Sequence, residues 1–269
     1  MGIFSQAGTG EYEYESIHGQ KIIIYGKGIY QYMSADFAIQ GIAQDYITLF
    51  LAIPLLLIGL FWSRKNSLRG LFLLSGTLGY FLLTYLFYLA MAMYNGLFIV
   101  YVLLLGTSFF AFILTLFSYE FAQIKDTVVS EKILRYAGIF LMINSILVAF
   151  SWLSVIIPPL LDGSIIPAQV DHYTTLIVQG FDLALFLPMS FICGLLALRK
   201  ENYGYVLTTI YIIFLSILMT ALTSKIFFIA NAGGNIIPVV FIIPTINLIA
   251  IIFSILLLKN LKNTVASPN

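Results

Sequence analysis

Long apolar stretches separated by short polar segments dominate the chain. Seven of them approach or exceed the about 20 residues with which a helix crosses a hydrocarbon core of about 30 Å. Each is apolar on all faces, which is typical of helices in lipid and not of helices at the surface of a soluble domain. The predicted spans cover residues 44–62, 71–93, 97–118, 136–157, 174–198, 205–230 and 236–258.

The segments between these spans contain residues that end helices. Asn95-Gly96 is a turn pair, Pro158-Pro159 is expected to stop the fourth span, and residues 231–235 form a glycine-rich connector. No repeat of fixed period is visible in the sequence. An inverted repeat of three helices plus three stays an open alternative, because several membrane carriers are built in this way.

The amino-acid composition supports a membrane location. Hydrophobic residues make up 61% of the 269 positions and charged residues 9%, which is too few to cover the surface of a soluble domain. The sequence therefore predicts an all-α integral membrane bundle of about seven helices, surrounded by the lipid bilayer. We divide it into an extracytoplasmic N-terminal segment (1–43), a transmembrane domain (44–258) and a cytoplasmic tail (259–269).

Composition also argues against several kinds of site. Cys193 is the single cysteine, so an internal disulfide is excluded. His18 and His172 are the two histidines, too few for a recognisable zinc, haem or iron–sulfur site, and we expect no metal and no other cofactor. A net charge of +1 without a basic run gives no reason to expect nucleic-acid binding.

Lysine and arginine mark one end of the predicted bundle. They follow the first, third, fifth and seventh spans, whereas the connections after the second, fourth and sixth spans contain neither residue. Short loops rich in these residues remain in the cytoplasm when a membrane protein inserts. We therefore expect an N-terminus outside the cell, a cytoplasmic C-terminus and a location in the plasma membrane.

The N-terminal segment has a strand-like pattern. Acidic residues and tyrosines alternate from Glu11 to Glu15, and residues 21–25 are mostly β-branched and aromatic. This pattern predicts a short β-hairpin over the outer mouth of the bundle, with a disordered tail as the alternative. Gln40, Gln44 and Thr48 then recur at four-residue spacing, which predicts an outer extension of the first span with one polar face.

Asp182 is the strongest candidate site residue, because an ionisable group inside a span is costly and often functional. It lies near the middle of the fifth span and continues a row formed by His172, Thr175 and Gln179 at helical spacing. The row leads inward from the outer surface, as expected of a path for a ligand or a proton. The alternative is a structural hydrogen-bonded contact between helices.

Other polar residues complete the candidate ligand-binding site. Lys225, in the outer part of the sixth span, is the candidate counter-ion of Asp182, although a lysine so near a helix end also reaches the interface. Asn144 and Asn247 each share a helix face with a serine and serve either ligand binding or helix contacts. Asp45, at the outer mouth of the first span, either binds a ligand or caps the helix.

Hydroxyl groups also follow one face of the second span, and we assign this row to aromatic packing, with a tyrosine that lines a pocket as the alternative. The row consists of Thr77, Tyr80, Thr84 and Tyr88.

Short segments in the first third of the chain carry a resemblance. They are Tyr-Gly-Lys-Gly-Ile-Tyr at 25–30, Asp45 with Pro-Leu-Leu-Leu at 54–57, Ser-Leu-Arg-Gly at 67–70, and Gly79-Tyr80. Together they resemble a family of uncharacterised prokaryotic multi-pass membrane proteins, which implies a membrane location and no particular chemistry. Seven spans with an outside N-terminus also resemble rhodopsins, but the predicted seventh span lacks the lysine that a retinal Schiff base requires.

Three classes of function remain. The sequence favours a non-enzymatic binder or carrier of a small molecule or ion, with its site around Asp182 in the outer half of the bundle. The first alternative is a helper or sensory subunit that recognises a protein partner, which an exposed small-residue face near Gly76 and Gly79 would support. The second is an intramembrane enzyme acting on a lipid, but the spans offer few groups for acid–base chemistry.

Overall fold

The computed structural model describes residues 2–262 of the chain. Within this range seven helices are long and apolar enough to cross a membrane, which confirms the predicted all-α bundle. They are α1 (Ala35–Arg64), α2 (Leu68–Ala90), α3 (Phe98–Phe117), α4 (Glu131–Asp162), α5 (Ile177–Leu198), α6 (Asn202–Asn231) and α7 (Val239–Lys259). Most of the predicted tail, residues 263–269, lies outside the described residues.

The first helix begins well before the apolar stretch that predicted it. α1 is already helical at Ala35, so the predicted extension with one polar face is confirmed as part of this helix. Both α1 and α5 contain a wider π-helical turn, Thr48–Ala52 in the former and Asp182–Phe186 in the latter. Pro54 and Pro188 follow these turns closely. A proline lacks the N–H group and clashes with the carbonyl one turn earlier, and the wider turn accommodates both defects.

The prediction that the proline pair stops the fourth helix is wrong. α4 continues through Pro158 and Pro159 and is followed by Gly163, whose φ of 82° is left-handed. Each proline removes the hydrogen bond of its own N–H group, but only the last turn of the helix follows the pair, so a bend there displaces little of α4. Glycine adopts the left-handed conformation without steric cost and is therefore the residue that ends the helix.

The prediction of one continuous helical row leading to Asp182 is also wrong in its outer part. α5 begins only at Ile177, because the preceding Leu176 has a non-helical backbone. His172 and Thr175 therefore lie in turns before the helix. Within α5 the row retains only Gln179 and Asp182.

The N-terminal segment forms the predicted hairpin and packs on one end of the bundle, which we call the mouth. Its strands β1 (Tyr12–Glu15) and β2 (Lys21–Ile24) are antiparallel. The turn between them is closed by the Ser16 N–H group, which donates to the Gln20 carbonyl at 2.8 Å.

Contacts with the turns before α5 fix the N-terminal segment in place. The Nε2–H group of His172 donates to the Tyr32 carbonyl at 2.9 Å. The backbone N–H of Ser34 lies 3.4 Å from the hydroxyl of Tyr173, to which it donates. His172 therefore serves to hold the segment on the mouth.

The two most buried helices, α2 and α6, lie side by side at the centre of the bundle. α2 packs against α1 and α3, while α6 packs against α5 and α7, and α4 packs mainly on α5. The small-residue face of α2 is used in these contacts: Gly76 meets Ile213 of α6, and Gly79 lies near Phe214. This face is therefore occupied inside the bundle.

Candidate functional site

A cavity of about 480 Å³ lies at the mouth of the bundle. Its walls come from α1, α2, α4, α5, α6, the N-terminal segment and the connection before α5. The exposed residues Asp36 and Gln169 belong to the lining, so the cavity reaches the protein surface. Small molecules are typically bound in cavities of about 300–1,000 Å³, and this one is large enough for them.

Asp182 faces this cavity from α5, at the first residue of the π-helical turn. Its Oδ2 accepts a hydrogen bond of 2.8 Å from the indole Nε1–H of Trp152, which lines the cavity from α4. Its other oxygen, Oδ1, makes no hydrogen bond within residues 2–262. One carboxylate oxygen is thus oriented by the protein while the other is available to a ligand. Single π-helical turns occur often at functional sites.

Lys225 lines the same cavity from α6. Among the described residues, two ion pairs have a nitrogen–oxygen distance of 4.0 Å or less, and both involve Glu131 at the opposite end of the bundle. The Lys225 ammonium and the Asp182 carboxylate therefore share a cavity without forming a direct ion pair. The two charges still interact electrostatically across the cavity, and both lie in helices that cross the membrane, where a charge without a close partner is costly.

The polar face of α1 meets the hydroxyl row of α2 at the cavity wall. The Nε2 group of Gln44 donates to the Tyr80 hydroxyl at 2.8 Å and to the Thr84 hydroxyl at 3.1 Å. Thr48 lies 2.9 Å from the same Tyr80 hydroxyl. The Gln44 Oε1 atom is buried and has no hydrogen-bond partner among the described residues. A buried acceptor of this kind is usually satisfied by a water molecule or a ligand donor.

Asp45 stands behind the cavity wall and holds it together. Its Oδ2 accepts hydrogen bonds from the backbone N–H of Gly2 at 2.7 Å and from the Tyr30 hydroxyl at 3.1 Å. Its Oδ1 accepts one from the Tyr88 hydroxyl at 2.9 Å. Because Tyr30 and Tyr88 line the cavity, Asp45 orients two of its aromatic walls and ties the N-terminal segment to α1.

Asp171 contributes a half-buried carboxyl group at the entrance of the cavity. Its φ of 55° is combined with a ψ of −121°, a backbone conformation outside the αL well that a residue with a side chain rarely adopts. Burial raises the pKa of the Asp171 carboxyl. The nearby Ser34 hydroxyl lowers it, the Asp36 carboxylate raises it further, and His172 lowers it by a smaller amount.

The cavity brings together some of the residues predicted as ligand-binding and leaves out others. Gln179, Asp182 and Lys225 line it, and Asp45 lies directly behind its wall. Thr175 is exposed in the turn before α5 and is not part of the lining.

Asn247 and Asn144 lie in helix contacts away from the cavity. Asn247 of α7 accepts a hydrogen bond from Thr220 at 3.1 Å and donates one to Thr223 at 3.3 Å, both on α6. Asn144 is buried in α4, and its Oδ1 has no partner among the described residues. The contacts of Asn247 match the alternative of a structural bond between helices, and neither residue reaches the site around Asp182.

Sequence reasoning missed Trp152, Asp36 and Asp171 as site residues. A tryptophan within an apolar span indicates packing or a membrane interface as readily as a binding site, so Trp152 carried no specific signal. Gln40 and Gln44 did carry one, because their four-residue spacing placed them on a common face of α1 that now lines the cavity.

Comparison of the chain with protein-family models, with curated proteins and with solved structures found no match. The resemblance to a prokaryotic membrane protein family therefore stays a prediction. Functional inference rests on the geometry of the cavity.

Proposed function

We propose that this protein binds a small zwitterionic molecule in the cavity at its mouth, as a non-enzymatic binder or carrier in the plasma membrane. The observation that supports this is that Asp182 and Lys225 line one cavity from different helices without pairing with each other. A ligand that carries both an ammonium and a carboxylate group provides each side chain with a partner of opposite charge.

A ligand with a single charge fits this pair of residues less well. It gives a close partner to only one of Asp182 and Lys225, and an ionised side chain at the centre of a span, where Asp182 lies, costs about 2.5–3.5 kcal/mol on insertion scales. A ligand charge also repels the protein charge of the same sign. A zwitterion avoids both penalties, which is why we favour it over a simple cation or anion.

The aromatic part of the lining suits the rest of such a molecule. Trp152, Phe37 and Phe87 offer ring surfaces to an apolar body, and an ammonium group is attracted to the face of an aromatic ring. The lining therefore combines a mainly apolar surface with a few polar groups, as is usual for small-molecule sites.

In this proposal the mouth faces the outer side of the membrane, and the distribution of basic residues supports this orientation. Four basic residues lie where α1 and α5 end, opposite the mouth: Arg64, Lys65, Arg199 and Lys200. Basic loops of this kind remain in the cytoplasm. The cavity would then take up its ligand from outside the cell.

Thermal melts of the purified protein in one detergent test the proposal. The probes are the standard amino acids, together with the amines and the carboxylic acids that each retain one of their two charges. The proteins are wild type, Asp182→Asn and Lys225→Met. Asparagine keeps an oxygen for the Trp152 indole and removes the charge, while methionine keeps a long unbranched side chain.

We expect at least one zwitterion to raise the melting temperature of the wild type more than either singly charged analogue does. A ligand present at 100 times its Kd stabilises a protein by about 2.7 kcal/mol, which is readily measured. Asp182→Asn should abolish the advantage of the ammonium group, and Lys225→Met that of the carboxylate. Asp126→Asn and Lys132→Met, at exposed positions away from the cavity, are the matched controls. Absence of a zwitterion effect, or an effect that survives both cavity substitutions, would overturn the proposal.

A further inference from the structure

The two halves of the bundle carry the same structural landmarks at a constant separation along the chain. The π-helical turn Thr48–Ala52 in α1 corresponds to the turn Asp182–Phe186 in α5. We call two positions equivalent when they are as far apart in the sequence as Thr48 and Asp182. The prolines that follow the two turns, Pro54 and Pro188, are equivalent in this sense.

The turns after these helices repeat the correspondence. Asn66 and Lys200, which are also equivalent, have left-handed φ angles of 57° and 58°. Each closes the turn with a matching backbone hydrogen bond. The Asn66 N–H donates to the Ser63 carbonyl at 2.9 Å, and the Lys200 N–H to the Ala197 carbonyl at 3.2 Å.

The first turns of α2 and α6 add a third equivalent pair, Gly70 and Gly204. A Cβ atom at Gly70 would lie 2.4 Å from the Cβ of Trp62, and one at Gly204 would lie 2.4 Å from the carbonyl carbon of Leu196. Trp62 and Leu196 are themselves equivalent positions. Both corners therefore require glycine for the same close approach of two helices.

The contact between α2 and α6 shows how the halves are related. Gly76 and Ile210 are equivalent positions, and a Cβ atom at Gly76 would lie 3.1 Å from the Ile210 carbonyl oxygen. When a position meets its own equivalent, the two lie at a two-fold axis. Because α1 and α5 run in the same direction, this pseudo-two-fold axis runs along the bundle. The arrangement is a parallel repeat of α1–α3 and α5–α7 joined by α4, and not the inverted repeat left open from the sequence.

The cavity lies between the two halves. Four pairs of equivalent positions line it, with one member of each pair from each half. The pairs are Gln44 and Val178, Thr84 and Leu218, Tyr88 and Leu222, and Met91 and Lys225. A ligand in the cavity therefore contacts both halves at once.

We infer that the protein is a carrier whose halves, α1–α3 and α5–α7, rock against each other about the α2–α6 contact and expose the cavity to each side of the membrane in turn. This inference rests on the proposed ligand site. Parallel repeats about an axis along the membrane normal, with a site at the interface of the repeats, move in this way in membrane carriers.

The end of the bundle opposite the mouth is closed by polar contacts, and the proposed motion must break the one that joins the two halves. The Nη2 group of Arg69, in the first half, donates to the Leu261 carbonyl that follows α7, at 2.8 Å. The backbone N–H of Val129 donates to the Asn260 carbonyl at 2.8 Å, and the Asn260 side chain donates to the Ser130 carbonyl at 2.7 Å. The structure thus holds the cavity open at the mouth and shut at the other end.

Labelling of a cysteine inside the cavity tests the inference without any ligand. Leu222→Cys places a thiol on the cavity wall, in a background in which the buried Cys193 is replaced by alanine. A membrane-impermeant thiol reagent is added to vesicles of either orientation. Arg69→Ala removes a contact that closes the inner end, and Arg64→Ala, exposed at the same end, is the matched control.

We expect labelling from both sides of the membrane. Arg69→Ala should increase the rate from the end opposite the mouth several-fold and reduce the rate from the mouth, whereas Arg64→Ala should change neither. Asn260→Ala breaks the same closure through another contact and should act in the same direction, which covers the case of an Arg69→Ala protein that does not fold. Labelling from the mouth alone in every protein would overturn the carrier while leaving the ligand-induced melting shifts intact. Labelling from both sides that neither substitution redistributes would overturn it as well.

Discussion

The close contact at Gly76 yields a prediction whose size follows from the structure. A Cβ atom at Gly76 would lie 2.5 Å from the Cγ2 and 2.6 Å from the Cβ of Ile213, far inside van der Waals contact. Ile213 is only 2% exposed, and its β-branched side chain has few rotamers to which it can move. The substitution Gly76→Ala must therefore push α2 and α6 apart at the centre of the bundle.

Two opposing terms set the expected magnitude for Gly76→Ala. Forcing extra volume into a packed core costs about 1–3 kcal/mol. Alanine in a helix interior recovers about 0.5–1 kcal/mol relative to glycine. The net loss is then up to about 2.5 kcal/mol. At about 2–4 °C per kcal/mol for chains of about 150–250 residues, the melting temperature should fall by several degrees.

Gly79 provides the matched control on the same helix. A Cβ atom there would lie 3.7 Å from its nearest neighbours in Phe214, which is an ordinary contact. Gly79→Ala should therefore be neutral or stabilise the protein by up to about 1 kcal/mol. The measurement is a thermal melt of the wild type and both variants in one detergent. A Gly76→Ala protein that melts at or above the wild type, or alongside Gly79→Ala, would refute the close packing of α2 on α6.

The remaining predictions concern the mouth and the topology. Burial raises the pKa of the Asp171 carboxyl above its ordinary 3.8, so the contribution of this group to folding stability is fully present below pH 3.8 and is lost as the pH rises through the raised pKa. Thermal melts across acidic pH should show that Asp171→Asn removes this loss, and a variant whose melting temperature depends on pH as in the wild type would contradict it. Tyr30→Phe deletes the hydroxyl that donates to Asp45 at 3.1 Å, so limited proteolysis should cut the N-terminal segment faster than in the wild type, with equal rates as the contrary result. A periplasm-active reporter should be active when fused after Asn95 and silent after Asn269, and the reverse pattern would invert the proposed orientation.

The helices were predictable because span length and apolar character are properties of local sequence, whereas their ends depend on tertiary contacts. Residues 35–48 showed the polar spacing of a helix face that meets another helix, and the structure confirms that helix. The predicted end of the fourth helix at Pro158 and Pro159 was wrong, because a proline pair can stand in a helix when only one more turn follows it. The local sequence does not indicate how many turns follow. The prediction for Thr175 was wrong because its spacing from Gln179 fits a helix, whereas the helix begins only at Ile177.

The site was only partly predictable for a similar reason. Asp182 and Lys225 could be identified from the sequence, because a charged side chain in an apolar span is costly and often functional. Trp152 becomes meaningful only when α4 packs on α5 and brings its indole to 2.8 Å from the Asp182 carboxylate. The position of Asp171 in the site depends likewise on a turn, and the positive φ of that turn has no clear sequence signature.

The repeat escaped detection because the halves share backbone geometry more than side chains. The prolines and the corner glycines coincide at equivalent positions, while most other equivalent positions of α1 and α5 differ. Many apolar residues serve equally well in a membrane-spanning helix, so sequence diverges freely around the few positions that set the shape of the backbone. Those positions hold the prolines, which lack a backbone N–H donor, and the corner glycines, where no side chain fits.

Divergence between the halves also explains the chemistry of the cavity. On the walls from α1 and α2, Gln44 and Tyr88 are neutral polar groups, whereas their equivalents in α5 and α6 are apolar. The charges Asp182 and Lys225 both belong to the second half. Lys225 occupies the position equivalent to Met91, so Lys225→Met removes the charge and introduces the residue that stands at the matching place of the first half. A zwitterion would therefore bind by its charges to α5 and α6, and the first half would close over it through neutral hydrogen bonds, which are more easily exchanged for water when the halves part.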